Sequence, residues 1–360
     1  MFRNPPGFLE SLKELRRLST MEGKYLYGVI KEEKGKDFGP IGIGERQDSV
    51  YTIPHQGLSA VVSDSPPIAY DSIPKEAVVR HLANHQFVIE QVMKSYAIIP
   101  VKFGTLAESE EEVRRILEKG YAQFSAALDE MSGKIELDVV ATWSNLDSIL
   151  KEIGEEEKVR KFREEAAARR PSELYEAARI EMGKMVKSAL DDRRGNTASE
   201  IVDVLREASI DYWPHEVMDD NMIMNVAFLI NGDKEKGFDE KVNQLNERYQ
   251  DRVNFRCVGP LPPYSFNTME VKKMDFAVVN DARNVLGLAE EATITEIKDA
   301  HRRLAQEFHP DQHPGDAEAQ KQFEQITRAY RVLTDYCQEG RCSFREEDVN
   351  NSILVRRLEL

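Results

Sequence analysis

The chain has 360 residues, of which 41% are hydrophobic and 31% charged, and its formal net charge is -15. Such a chain is long enough for two or three folded domains, and its acidic balance speaks against nucleic acid or an anionic membrane surface as the main partner, because both require a cationic face. No apolar run approaches the ~20 residues that span a bilayer and no secretory leader is recognisable, so we expect a cytoplasmic protein with no membrane partner.

Residues 1–20 are interpreted as an N-terminal extension. Four apolar residues fall on one side of a possible helix, a pattern that suits a membrane surface or a partner groove. They are Phe8, Leu12, Leu15 and Leu18. The short length and the sequence Pro5-Pro6-Gly7 favour an appended tail instead, and Met21 is an alternative start. We therefore expect that deleting residues 1–20 leaves folding unchanged.

Residues 21–143 carry the pattern of a first α+β domain. We predict strands at Tyr25–Ile30, Leu58–Val62, Ile98–Phe103 and Ile135–Thr142, and helices at Pro74–Lys94 and Ser109–Met131. Both alternating sets of Tyr25–Ile30 are apolar, which indicates a central strand covered on both faces. Gly28 leaves room for close packing there. Pro100 indicates that Ile98–Phe103 lies at an edge or a bulge.

Two features of this domain are candidates for a metal or cofactor site. His81 and His85 lie one helical turn apart, but no third ligand stands near them and no Glu lies between them as in zinc proteases. We interpret both as packing residues and expect no metal. Gly42-Ile43-Gly44 lacks the third glycine and the following helix of a dinucleotide-binding loop, so we interpret it as a turn and expect no cofactor.

A charged helical segment, Ser144–Asn196, opens the second domain, residues 144–267. After Gly195-Asn196 the patterns indicate helix, strand, strand, helix and strand. These elements are Ala198–Glu207, Ile210–Trp213, Met222–Ile230, Glu235–Tyr249 and Val253–Val258. The order resembles a split βαβ arrangement. Met222–Ile230 is nearly continuously apolar, so we expect it to be the buried middle strand.

Four stretches of these two domains resemble the GvpF/GvpL family of gas-vesicle proteins over about Lys24 to Asn267. They are Tyr25–Gly28 (YLYG), Gly57–Ser63 (GLSAVVS), Ile99–Thr105 (IPVKFGT) and Gly259–Phe266 (GPLPPYSF). Leu261 stands where the family often has tryptophan. The resemblance implies a two-domain α+β accessory protein that helps to assemble gas vesicles by handling their very hydrophobic small shell protein. It implies no enzymatic activity.

After a linker at residues 268–280, the sequence indicates a helical hairpin. Apolar residues recur with helical spacing in two segments, the first with a capping box formed by Thr293 and Glu296. The first helix ends before Pro310, which lacks an amide proton and restricts His309. Gly315 and Asp316 mark the turn and the N-cap of the second helix. His309-Pro310-Asp311 is therefore expected at the exposed tip, with Val285–Leu288 covering the open side.

This hairpin resembles the J-domain family, co-chaperones that dock on DnaK-type ATPases, over about Asp281 to Asp335. The motifs, in order, are Leu286–Leu288, Arg303–Ala305, Phe308–Asp311 and Ala329–Thr334. The resemblance implies that the partner-binding residues are Lys298, Arg302, Arg303, His309, Pro310 and Asp311. The sequence departs from the family at Gln312, where a basic residue is usual, at the acidic Asp299 and Glu307, and at Tyr336–Gly340, which replaces the fourth helix. We assign residues 281–340 to this domain and 341–360 to a C-terminal tail.

The expected fold class is α+β: two small α+β domains, ferredoxin-like or split βαβ, joined by charged helices and followed by an all-α J-domain hairpin. Cys257, Cys337 and Cys342 match no common zinc or redox spacing, so we expect reduced thiols and no disulfide. We expect the hairpin to fold separately from Lys24–Asn267, with first proteolytic cleavage between Thr268 and Asn280.

Three functional hypotheses follow. The first is a gas-vesicle assembly factor that handles shell protein and recruits a DnaK-type chaperone, stimulating its ATPase. The second is a minor structural component of the vesicle wall with a vestigial J-domain. An enzyme that uses His81, His85 or His309 as a base is the weakest, because no nucleophile or metal cluster stands near any of them in sequence.

Overall fold

We describe the protein from a computed structural model, which covers residues 23–43, 48–168, 172–337 and 340–358. The predicted extension, residues 1–20, lies outside these ranges. The chain forms two compact units. The first comprises residues up to Val92, Ile98–Leu128 and the residues from Met269 onwards, and the second is built mainly from Asp129–Thr268. None of the helices in the described ranges combines the length and apolar character needed to cross a membrane.

The first unit contains an antiparallel sheet with strand order β2-β3-β4-β1-β5, and β6 pairs with β1. Its strands are β1 (Gly23–Lys31), β2 (Asp37–Pro40), β3 (Ser49–His55), β4 (Leu58–Ser65), β5 (Ile98–Pro100) and β6 (Leu106–Ala107). As predicted, β1 is internal and buried on both faces, and β5 with its proline lies at an edge. At Gly28 a Cβ atom would lie 2.7 Å from the carbonyl oxygen of Ile99, so glycine allows the close approach of β1 and β5.

Helix α1 (Lys75–Met93) lies between β4 and β5 in the chain, and α2 (Glu110–Lys119) and α3 (Tyr121–Met131) follow β6. The prediction of one helix over Ser109–Met131 is wrong, because the chain breaks at Gly120. A Cβ atom there would lie 2.6 Å from the ring of Phe124 and 2.8 Å from Val355. Glycine is therefore needed for close packing at the junction.

The second unit contains a four-stranded antiparallel sheet with order β10-β7-β9-β8. Its strands are β7 (Lys134–Trp143), β8 (Asp211–Pro214), β9 (Met222–Asn231) and β10 (Val253–Leu261). With its helices this is a β-α-β-β-α-β order, in which β9 is internal as predicted. The assignment of Ile135–Thr142 to the first domain is wrong, since β7 pairs with β9 and β10. The alternation of side chains identifies a strand but does not identify its neighbours.

The helices of the second unit are α4 (Leu146–Gly154), α5 (Glu157–Ala168), α6 (Ser172–Arg206), α7 (Glu235–Tyr249) and the short α8 (Tyr264–Asn267). Helix α6 has 35 residues and continues through Gly195-Asn196, where a break was predicted. Leu190, Ile201 and Leu205 on both sides of that point are buried in one core. Glycine in a helix costs only about 1 kcal/mol relative to alanine, so this burial outweighs it.

The remaining part of the first unit holds the predicted hairpin and two short ribbons. The elements are β11 (Met269–Lys273), α9 (Phe276–Leu286), β12 (Glu291–Thr293), α10 (Ile294–Glu307), α11 (Ala317–Tyr336), β13 (Arg341–Ser343), α12 (Glu346–Asn350) and β14 (Ile353–Arg357). The structure differs from the expected linker at 268–280 and tail at 341–360, because β11 pairs with β14 and β12 with β13. Strands from the expected linker and from the expected tail are thus part of the first unit.

Helices α9, α10 and α11 enclose one apolar core. Leu286, Ile297 and Leu333 are fully buried in it, one from each helix. Mixed α+β units with antiparallel sheets followed by a helical hairpin agree with the expected fold class. The expectation of three reduced thiols is wrong, because Cys337 at the end of α11 and Cys342 in β13 form a disulfide, with Cα atoms 5.7 Å apart.

Candidate functional site

Helix α10 begins at a capping box that holds one side of the candidate site. The Thr293 side chain accepts a hydrogen bond from the Glu296 amide at 3.2 Å, and the Glu296 carboxylate accepts one from the Thr293 amide at 2.7 Å. These reciprocal bonds satisfy two donors at the helix start. They lower the pKa of Glu296, chiefly through the bond from the Thr293 backbone. The prediction of this cap is confirmed.

Lys298, Arg302 and Arg303 all lie exposed on α10. Arg302 makes an ion pair with Asp299 at 3.6 Å, and both side chains are largely exposed. Such surface pairs contribute little to stability. Asp299 does, however, offset part of the positive charge that this helix presents, as the sequence indicated.

The tip between α10 and α11 is a tight turn around His309-Pro310-Asp311. The Gln312 amide donates to the His309 carbonyl oxygen at 2.9 Å, and the His313 ring Nε2 donates to the carbonyl oxygen of Glu307 at 2.8 Å. Asp316 is the N-cap of α11 and accepts hydrogen bonds from two amides of its first turn. Both helix ends are therefore satisfied close to the turn, which fixes its shape.

Within the tip, the amide of Asp311 donates to Nδ1 of His309 at 3.2 Å, and Asp311 Oδ2 lies 3.5 Å from the same nitrogen. The His309 ring also meets the Phe323 ring edge-on, at 5.6 Å between centroids. The Asp311 side chain is 89% exposed, against 46% for His309. The packed histidine thus holds the turn while the carboxylate of Asp311 faces solvent.

An open groove of about 490 Å³ runs between α10 and α11 next to this tip. Of the six predicted partner-binding residues, Lys298, Arg302 and His309 line it, whereas Arg303, Pro310 and Asp311 do not. The groove and the exposed tip therefore form two adjoining surfaces. A partner that covers both would meet cationic side chains in the groove and an anionic one at the tip.

Sequence reasoning missed the part of the groove that α11 supplies. Phe323 and Tyr330 line it, and the ring of His301 stacks on Tyr330 with centroids 4.1 Å apart. Burial lowers the pKa of His301. In the sequence, all three fall in step with the helical spacing of the apolar residues of their helix, and that spacing is equally compatible with full burial. Their half-exposed position depends on how closely the two helices approach.

The histidines that were candidates for a metal or a base lie elsewhere. His85 is buried, its Nδ1 lies 3.0 Å from the hydroxyl of Tyr25, and its pKa falls to about 4 because of burial. The packing interpretation of His85 is confirmed. His81 packs edge-on against Tyr70.

A separate polar cluster lies in the second unit. The Glu136 carboxyl group, 1% exposed, accepts hydrogen bonds from the Ser265 amide at 2.8 Å and the Ser265 hydroxyl at 2.9 Å. His215 Nε2 lies 3.2 Å from the same hydroxyl. Burial, reinforced by Asp138, raises the pKa of Glu136 to about 8. The serine hydroxyl points to a carboxyl group, so the cluster anchors α8 to β7 and does not have the arrangement of an activated nucleophile.

Comparison with known proteins assigns both parts of the chain. Residues 23–268 match the family "Gas vesicle synthesis protein GvpL/GvpF", and residues 281–339 match the DnaJ domain. Neither is a catalytic family.

Individual relatives agree with this division. Gas vesicle protein F of a Streptomyces species is 27% identical over 248 residues, which is 67% of this chain and 98% of that protein. Gas vesicle protein L1 of Halobacterium salinarum is 25% identical and covers 69% of this chain and 91% of its own. Chaperone protein DnaJ of Chlamydia felis is 51% identical over 55 residues, which is 15% of this chain and 14% of that protein.

Two crystal structures share the fold over about two thirds of this chain. GvpF from an Anabaena species superimposes with a TM-score of 0.58 at 22% identity, covering 68% of this chain and 98% of that chain. GvpF from Microcystis aeruginosa gives 0.54 at 23% identity with the same coverage.

Proposed function

The chain belongs to the GvpL/GvpF family of gas vesicle synthesis proteins and carries a DnaJ domain, and on this premise we propose that it is a gas-vesicle assembly factor with its own co-chaperone module. In this proposal the GvpL/GvpF region handles the hydrophobic shell protein, and the hairpin recruits a DnaK-type chaperone and stimulates its ATPase. The protein acts in the cytoplasm in association with gas vesicles. Its partners are the chaperone, the shell protein and other gas vesicle proteins.

The observation that carries this proposal is the exposed Asp311 carboxylate beside a groove with cationic side chains. Asp311 makes no contact that the apolar core requires, since its carboxylate is 89% exposed. An anionic group held in a fixed turn accepts charge-assisted hydrogen bonds from a cationic site on a partner. Lys298, Arg302 and Arg303 on α10 steer the encounter through their charge.

The test is the steady-state ATPase of a purified DnaK-type chaperone with the full-length protein or its Asp311→Asn variant. Asparagine keeps the shape of the side chain and removes its charge. Removal of a charge paired across an interface costs ~2 to 5 kcal/mol, so we expect stimulation to fall about thirtyfold or more at subsaturating protein. Circular dichroism of both proteins checks that the hairpin stays folded, and vesicle yield is measured in the strain that carries the variant.

Glu318→Gln is a matched control, because it removes one exposed acidic charge at the start of α11. It should stimulate as well as the unchanged protein. Lys298→Ala should reduce stimulation partially and less so at high salt. Failure of the unchanged protein to stimulate, or full stimulation by Asp311→Asn, would contradict the co-chaperone proposal. Retention of the protein on washed vesicles would then favour a wall component with a vestigial hairpin.

A further inference from the structure

We infer that β11, β14 and the ion pairs of Glu270 and Arg356 form a clamp that fixes the J-hairpin on the sheet of the first unit, so that these two residues are positioning residues for assembly. This inference rests on the proposed function, and it adds that the chaperone must be recruited at a set place on the protein. The match to the GvpL/GvpF family ends at residue 268, and the match to the DnaJ domain begins at residue 281. Strand β11 therefore lies between the two matched regions.

The ribbon of β11 and β14 is continuous with the hairpin core. Five residue pairs join the strands, from Met269 with Arg357 to Lys273 with Ile353. Leu354 of β14 and Met274, directly after β11, are both buried in the core formed by α9, α10 and α11. A movement of the ribbon would therefore carry the hairpin with it.

The same ribbon is bonded to the β1–β6 sheet region. Val101, next to β5, forms a parallel bridge with Met269, and the Lys102 amide donates to the Met269 carbonyl oxygen at 2.9 Å. Val355 of β14 packs where α2 ends, against the bare Cα of Gly120. Met269 and Val355 are both buried. A flexible connection would leave these backbone and apolar groups in water.

Ion pairs extend this attachment to α11. Glu270 accepts from Lys102 at 2.8 Å and from Arg356 at 2.9 Å, while Arg356 binds both oxygens of Asp335 at 2.8 Å. The Glu270 side chain is 13% exposed. Burial would raise the pKa of Glu270, but the bonds from the two cations outweigh it and lower the pKa. The carboxylate therefore stays charged and depends on its partners.

A second set of pairs closes the other end of β11. Lys273 Nζ lies 2.6 Å from Glu112 and 2.7 Å from Glu108, and the Glu112 carboxylate is 3% exposed. A buried carboxylate that loses its cation is costly. Both ends of β11 are thus held by ion pairs, at one end with Lys102 after β5 and at the other with Glu108 and Glu112 around the start of α2.

A clamp and a flexible tether predict different consequences for function. A tethered hairpin meets its chaperone in any orientation, and its only constraint is an effective concentration. A clamped hairpin presents the chaperone at one place relative to the β1–β6 sheet of the first unit. Release of the clamp should leave ATPase stimulation intact and impair transfer of the shell protein.

The experiment compares the unchanged full-length protein with its Arg356→Glu variant. The substitution places a third negative charge beside Glu270 and Asp335. Hydrogen exchange of β11 amides should become at least about thirtyfold faster, the factor that about 2 kcal/mol represents. ATPase stimulation should stay within about twofold, the range of surface substitutions, while vesicle yield falls. Arg345→Glu makes the same charge change at an exposed position before α12 and should change neither exchange nor yield.

Two more variants keep the test decisive. Glu270→Gln removes the charge and keeps the shape, so it applies if Arg356→Glu does not fold, and it should give the same pattern. Arg356→Lys keeps a positive charge at this position, so its vesicle yield should match that of the unchanged protein. The clamp is refuted if the β11 amides exchange at the same rate in Arg356→Glu and Glu270→Gln as in the unchanged protein. It is also refuted if these amides exchange faster in the variants while the vesicle yield stays normal. If the unchanged protein never stimulates the ATPase, the proposed function fails, while exchange still tests the clamp by itself.

Discussion

The buried carboxyl group of Glu136 should make the second unit less stable as the pH rises. Its pKa is about 8 in the folded protein, against an ordinary value of 4.5. Between these values the folded state holds a proton that the unfolded chain has released. Each pH unit in that window therefore lowers the free energy of unfolding by up to about 1.4 kcal/mol. Below the window both states hold the proton, and above it neither does, so the loss is confined to pH 5 to 8.

Glu136→Gln should remove this dependence. The amide can accept from the Ser265 backbone and donate to its hydroxyl, so the geometry is kept without a titrating group. Both tryptophans of the chain, Trp143 and Trp213, lie in the second sheet, so their fluorescence during urea unfolding reports on this unit alone. The difference in unfolding free energy between the two proteins should grow from pH 5 to 8.

Asp138→Asn is the control for the neighbouring charge. Burial also raises the pKa of Asp138. Its removal relieves the repulsion that helps to raise the pKa of Glu136 in the folded protein, so the pH range over which stability falls should narrow at its upper end without disappearing. Identical pH slopes for the unchanged protein and Glu136→Gln would refute the reasoning, since they would mean that Glu136 titrates alike in the folded and unfolded states.

Two further predictions concern the hairpin. Thr293→Ala removes the capping box of α10 at a cost of about 1 kcal/mol, so hydrogen exchange of the amides in the first turn, followed by mass spectrometry, should become about fivefold faster. Thr327→Ala is the control: the Thr327 hydroxyl donates to the Phe323 carbonyl oxygen within its own helix, so its loss should leave exchange at the start of α10 unchanged. Reduction of the Cys337–Cys342 disulfide should destabilise the end of α11 and β13 by about 2 kcal/mol, the value for a short closed loop. If hydrogen exchange of their amides is the same with and without a dithiol reductant, this prediction is wrong.

The elements that sequence reasoning located are those whose signals are local. The capping box at Thr293, the apolar run of β9 and the two-sided pattern of β1 each lie within a few residues, and the structure confirms them. Helix α7 has the predicted bounds, Glu235–Tyr249. Short-range patterns decide the type of an element because helical and strand periodicities differ.

What could not be predicted depends on pairing between distant residues. β11 has only Met269 and Val271 as apolar residues among five, and its partner β14 begins 80 positions after its last residue. A short polar segment is a strand only when a partner satisfies its backbone groups, and no local pattern identifies that partner. The same reason explains why Lys134–Trp143 was recognised as a strand but placed in the wrong sheet.

The candidate site shows both cases together. Its tip could be read from sequence, since Pro310 ends α10 and Asp316 begins α11, and the position of Asp311 between them follows from chain geometry. The groove could not, because it exists only where Phe323 and Tyr330 of α11 approach His301 of α10. The attachment of the hairpin is harder still to predict from sequence, because it depends on the pairing of β11 with β14, which lie on either side of the hairpin in the chain. Local sequence therefore determines the shape of the tip that carries Asp311, whereas long-range pairing determines where on the first unit that tip lies.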